Sequence, residues 1–294
     1  MPSPIIFDRT LIRSHRRRAA ALGEATFLLD RVAEDMAERL AAVLRRFDIA
    51  VDLGTPGEAV RQALLRLGSI GTIIAVDVMP QSRPAVVADE EALPFGDSTL
   101  DLVVSALALH QVNDLPGTLV QIRRALKPDG LFVAALLGGE TLTELRQSFA
   151  VAESEIEGGI SPRVAPFADL RDLGALLQRA GFALPVTDVD RVGVRYDSAF
   201  ELMRDLRRMG VTNALLARRR KPLRRATVVR MAEHYAQRFA DADGRVRATF
   251  DIVWLSGWAP HPGQQQPLRP GAAKSRLADA LGTREISTGE KAGK

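Results

Sequence analysis

Cysteine is absent from the 294 residues. Structural disulfides, thiolate-bound zinc and a cysteine nucleophile are therefore excluded, and the absence fits a reducing compartment. No apolar run approaches the ~20 residues that a membrane-crossing helix needs, so no membrane span is expected. The first residues hold no apolar stretch with a small-residue cleavage site. The expected localisation is cytoplasmic, of bacterial type, with the inner-membrane surface reached only through a partner. Histidine is scarce: His15, His110, His234 and His261 lie far apart and form no close His/Asp/Glu motif, so no dedicated metal site is expected. The excess of positive charge is also small, a formal +4 spread along the chain, and nucleic acid is not an expected partner. No internal repeat is visible.

What is present is the composition of an ordinary globular protein, 46% hydrophobic and 26% charged. The chain is organised around Ile49-Ala50-Val51-Asp52-Leu53-Gly54-Thr55-Pro56-Gly57. Ile49 to Leu53 reads as a short buried strand ended by a glycine turn. Glu58 to Leu67 reads as a helix with Val60, Ala63, Leu64 and Leu67 on one face. A second strand, Thr72 to Val76, ends in Asp77. Strand, glycine turn and helix open a nucleotide-binding α/β sheet. The second acid stands where a carboxylate can accept both hydroxyls of a ribose, which need an acceptor-only group.

Further strands are expected at 85–88, 100–105, 131–137, 186–196 and 249–258, giving seven in all. Helices are expected at 116–126, 140–157, 169–180, 198–209 and 226–240, with one or two more between Ala19 and Phe47. The fold class is therefore α/β, a Rossmann-like and mostly parallel seven-stranded sheet. Its ligand crevice is expected at the carboxyl ends of strands one and four, where strand order reverses. The domain reading is an N-terminal helical arm at 1–48, a main domain at 49–259 with a helical substrate insertion at about 138–245, and a disordered tail at 260–294, rich in Gln, Pro and Gly.

Three segments carry a resemblance: Asp89-Glu90-Glu91-Ala92-Leu93-Pro94-Phe95, Leu100 to Ser105, and Leu126-Lys127-Pro128-Asp129-Gly130. Together they resemble the class I S-adenosylmethionine-dependent methyltransferases. Gly138 to Arg146, Glu157 to Pro162 and Phe200 to Leu206 are similar to one subgroup, the respiratory complex I assembly factors known as protein-arginine hydroxylases. Ile6 to Arg9 and Ser256-Gly257-Trp258 fit it too. The malonyl-carrier-protein carboxyl methyltransferases of biotin synthesis share the layout in weaker form.

The resemblance implies S-adenosylmethionine as cofactor. Asp52, Gly54 and Gly57 would line its methionine end, Asp77 its ribose, and Asp89 with Glu90 its adenine. Ser105 and Ala106 would flank the sulfonium. His110 would sit where substrate enters and is the candidate general base; Arg146, Tyr196 and Asn213 are substrate candidates in the insertion. One departure stands out. The usual Gly-x-Gly-x-Gly turn has Pro56 and Glu58 at its second and third glycine positions, so one amide donor is lost and a like charge is set near the cofactor carboxylate.

Three functions follow as expectations. The first is modification, by hydroxylation or methylation, of an arginine in a quinone-site subunit of complex I. The second is methylation of a malonyl carboxylate on a carrier protein, with Arg146 as its cationic site. The third is a non-catalytic chaperone with a degenerate cofactor turn.

Overall fold

The computed structural model describes residues 5–79, 85–264 and 282–283. Seven strands form one sheet: β1 (Phe47–Leu53), β2 (Ile70–Asp77), β3 (Ala85–Val87), β4 (Leu100–Ala106), β5 (Leu126–Leu137), β6 (Ala183–Tyr196) and β7 (Val246–Trp258). Their order is β3-β2-β1-β4-β5-β7-β6. The first five strands pair in parallel, and β7 enters antiparallel between β5 and β6. The expected α/β class and the reversal of strand order at β1 and β4 are both present.

Strict alternation explains how the sheet buries both faces. Leu102, Val104 and Ala106 of β4 join Leu131, Val133 and Ala135 of β5 in one core. That core is covered by α2 (Phe27–Ala41), α3 (Ala59–Leu65), α5 (Thr143–Ile156), α7 (Ala199–Arg208) and α8 (Arg225–Phe239). Val103, Phe132, Ala134 and Leu136 point the other way, to α4 (Leu115–Ala125) and α6 (Leu170–Arg179). Within residues 138–245, α6 and β6 thus belong to the sheet layers, while α5, α7 and α8 form the helical part. Residues up to Pro260 make one compact unit. Most of the expected disordered tail, 265–281 and 284–294, lies outside the described residues.

Three local expectations are corrected. The first helix, α1 (Arg9–Leu22), begins ten residues before Ala19. The Asp8 carboxylate caps it by accepting from the Leu11 amide at 3.0 Å, so the arginine cluster lies inside the helix. The buried face of α1, Ile12, His15 and Ala19, is narrow and masked in the sequence by the cations between. β5 starts at Leu126 and not at 131, with Lys127 to Gly130 a bulge inside it; Asp129 has φ +67°, and the pairing with β4 shifts register there. The helix expected from Glu140 starts only at Thr143. The Gly138 amide donates to the Asp251 carbonyl at 2.8 Å, Leu142 donates to Thr249 at 2.7 Å, and Leu142 takes φ +55°, which holds the segment in a turn.

Gly138 is required by that turn. A Cβ there would clash with Val253 Cγ2. Gly138→Ala is therefore expected to cost about 1–3 kcal/mol by overpacking, read as a lower midpoint in urea. An unchanged midpoint would show that Val253 turns aside freely.

Candidate functional site

The crevice at the carboxyl ends of β1, β2 and β4 collects the residues named from the sequence for the cofactor. Gly54 and Gly57 have φ +71° and +68°, which glycine adopts without steric cost. The Gly54 amide donates to the Val76 carbonyl at 2.7 Å. Ser105 Oγ donates to the Leu53 carbonyl at 2.7 Å, and Thr55 Oγ1 accepts from the Ala106 amide at 2.9 Å. Those bonds lace β4 to β1 and fix the floor of the crevice. Leu107, just beyond β4, holds φ +51°, a conformation of the kind that concentrates at functional sites.

Asp52 is buried, and its Oδ1 has no hydrogen-bond partner among the described residues. Burial pushes its carboxyl up to about 7; Asp77 and Glu58 add to this, and a Thr55 hydrogen bond and Arg61 oppose it. A buried carboxylate with an unsatisfied oxygen beside two left-handed glycines suits the polar end of S-adenosylmethionine. Asp77, at the end of β2, is an acceptor-only group as a ribose requires. The residues therefore fit this cofactor. The Glu58 carboxylate accepts from Arg61 Nε at 2.6 Å, which offsets the repulsion expected of it.

The carboxylates do not stand alone. Arg9, Arg13 and Arg16 fall at helical spacing on α1 and face them as one stripe. Arg16 grips Asp77 with both Nη atoms. Arg9 donates to Asp89 at 2.8 Å and to Glu90, and lies 3.9 Å from Glu91. Arg13 reaches Asp89 at 3.4 Å. Glu90 is folded over Gly54, where a Cβ would meet its Oε1 at 2.7 Å. Only a cavity of about 30 Å³ remains between Arg9, Arg16, Gly54 and Glu90. This stripe escaped the reading of the sequence. The available signal was three arginines at i, i+4 and i+7, a match for three of the four acids already assigned to one ligand.

Two larger cavities adjoin. One, about 230 Å³, is bordered by Arg16, Glu24, Pro56, Gly57 and Leu107. The other, about 280 Å³, is lined by Phe149, Arg163, Phe167 and Asn213 beneath α7. His110, Leu137, Val211 and Phe250 border both. The His110 ring lies 5.9 Å from that of Phe167. Both its nitrogens are buried without a hydrogen-bond partner among the described residues, and burial pushes its pKa down to about 4. A neutral imidazole thus stands where the two cavities meet, able to accept or donate one hydrogen bond.

Asn213 borders the second cavity and ties its rim, donating to the Pro162 carbonyl at 2.8 Å. Arg146 lies elsewhere: it donates to the Gly139 and Thr141 carbonyls at 3.5 and 3.3 Å and braces the turn before α5. Tyr196 is buried in the core and borders none of these cavities. Its hydroxyl pKa is raised by burial and by Asp205.

Comparison with known proteins gives these features a context. Residues 51–134 match the family model described as a methyltransferase domain. The human mitochondrial arginine-hydroxylase NDUFAF5 is 41% identical over 281 residues, covering 91% of this chain and 81% of the relative. The malonyl-[acyl-carrier protein] O-methyltransferase of Laribacter hongkongensis is 34% identical over 287 residues, covering 90% and 94%. A crystal structure from Bacillus halodurans shares the fold, with a TM-score of 0.51 and 18% identity over 77% of this chain and 98% of that one. With its mostly parallel sheet, its acids at the strand ends and relatives matched over four-fifths or more of their length, the chain belongs to the class I S-adenosylmethionine-dependent methyltransferase family, in the group that includes arginine-hydroxylase NDUFAF5.

Proposed function

We propose that this protein binds S-adenosylmethionine and modifies a protein, its substrate being an arginine in a quinone-site subunit of respiratory complex I. The observation that carries the reading is the 41% identity to an arginine-hydroxylase across 91% of the chain. That span includes α5, α7 and α8, which lie beyond the matched methyltransferase domain. When bound, S-adenosylmethionine supplies a sulfonium-activated methyl group. In this chain Asp52 and Asp77 hold the cofactor, His110 offers a neutral hydrogen-bonding group, and the apolar chamber under α7 shields a substrate side chain from water. Among the described residues no helix is long and apolar enough to cross a membrane.

The test combines titration and mass. Calorimetric titration with S-adenosylmethionine is expected to show binding that Asp77→Ala weakens by at least about tenfold, the loss of one or two charge-assisted hydrogen bonds. The candidate complex I subunit, coexpressed with this protein, is expected to gain the mass of one oxygen atom on one arginine. A gain of one methylene would make the activity methyl transfer. An unmodified subunit that still copurifies would replace the reading with a chaperone.

A further inference from the structure

We propose that Arg16 receives the carboxylate of S-adenosylmethionine, and that it does so by letting go of Asp77. The inference rests on the cofactor reading above and concerns which residue completes the site.

The argument starts from crowding at Asp77. Its Oδ1 accepts from Arg16 Nη1 at 3.1 Å and from the Met79 amide at 2.8 Å, and its Oδ2 accepts from Arg16 Nη2. With Arg16 in place the Asp77 side chain is 2% exposed. A ribose diol cannot reach a carboxylate that is enclosed in this way. The diol and the guanidinium are therefore alternative partners of Asp77.

A guanidinium keeps its charge throughout the working pH range. The Arg16 side chain is only 15% exposed, and a cation left unpaired at such a position is strongly disfavoured. The acids of the adjoining cavity and turn offer little. Glu58 is held by Arg61, and Glu24 is exposed to water. The cofactor brings its own anion together with the diol that displaces Arg16, so one ligand both removes and replaces the partner. Position supports this exchange. Arg16 borders the small cavity beside Gly54, Val78 and Glu90 and also the larger one beside Pro56 and Gly57. Moving between them asks for a change of side-chain rotamer, with α1 staying docked. The altered Pro56 turn, short of one backbone donor, gains a bidentate side-chain donor in compensation.

The experiment compares two ligands on the full chain. S-adenosylmethionine carries the carboxylate; 5′-methylthioadenosine has the same adenosine and none. Arg16→Gln is expected to bind S-adenosylmethionine about tenfold more weakly, and 5′-methylthioadenosine more tightly, because the diol no longer competes with a guanidinium for Asp77. Opposite changes are the signature of the exchange. If both affinities rise, Arg16 only obstructs the site; if both fall or neither moves, it takes no part in the exchange; each result overturns the inference. Should Arg16→Gln fail to fold by circular dichroism, Arg16→Lys decides, with S-adenosylmethionine weakened and 5′-methylthioadenosine unchanged or tighter, and parallel losses overturning it. A wild-type protein that binds neither ligand would overturn the cofactor reading itself.

Discussion

Asp52→Asn will raise the unfolding free energy by up to about 4 kcal/mol at pH 7 in the absence of added cofactor, less what the buried amide loses in unmade hydrogen bonds. The figure is the gap between 3.8, the ordinary carboxyl value, and about 7, at about 1.4 kcal/mol for each pH unit. Burial favours the protonated form, so between pH 4 and 7 the folded chain binds more protons than the unfolded one. Stability from this group is present at low pH and is lost as pH rises toward 7. Asparagine has no charge to desolvate and escapes that loss. His110 acts in the same interval with the opposite sign. Its pKa falls from 6.5 to about 4 on folding, so the unfolded chain binds more protons, and stability is lost as pH falls from 6.5 to 4. The full effect is about 3 kcal/mol. In the wild type the two slopes largely offset each other. Single variants separate them: Asp52→Asn should grow more stable from pH 4 to 6.5, and His110→Gln less stable. Urea denaturation at several pH values reads both, and parallel curves for the two variants would refute the pairing.

Glu153→Gln will lower stability by about 3–5 kcal/mol. Glu153 lies on α5 and is fully buried. Its Oε1 accepts from Arg163 Nε at 2.8 Å and from Nη2, and its Oε2 accepts from the Ser161 amide at 2.7 Å. The Arg163 guanidinium lies 5.6 Å over the Phe149 ring, and both side chains line the larger cavity. One carboxylate therefore anchors the loop that walls the larger cavity. Glutamine removes the charge and leaves Arg163 unpaired beside an apolar surface. The double variant Glu153→Gln/Arg163→Met should recover much of the loss, since an apolar replacement leaves no buried cation. A loss under about 1 kcal/mol for the single variant, the range of exposed pairs, would mean that Arg163 escapes to water.

How much of this could be read in the sequence follows the range of the interactions. Strands such as Leu100 to Ala106 read as short, nearly continuous apolar runs, because both faces of the sheet are buried. Asp52 and Asp77 could be placed because each ends a strand beside the reversal of strand order. The Arg9–Asp89 and Arg16–Asp77 pairs span 80 and 61 residues, and nothing local marks them. Arg146 illustrates the reverse problem. A cation in an insertion invites a substrate role, yet the structure sets it on two backbone carbonyls of its own turn. A buried tyrosine such as Tyr196 is likewise indistinguishable in sequence from one that faces a ligand.

The place of β7 also sets a timetable. Synthesis completes β5 at Leu137, but the strand that covers its open edge begins only at Val246. Until then the edge of β5 offers unpaired amides and carbonyls to any neighbour, and the loop to be closed is long. β6 is made earlier and must wait as well, since it pairs with the rest of the sheet only through β7. Both tryptophans of the chain, Trp254 and Trp258, lie on this strand, with Arg39 and Arg45 over their rings at 4.4 and 5.8 Å. Tryptophan fluorescence in refolding therefore reports the insertion of β7, the event that joins the two parts of the sheet.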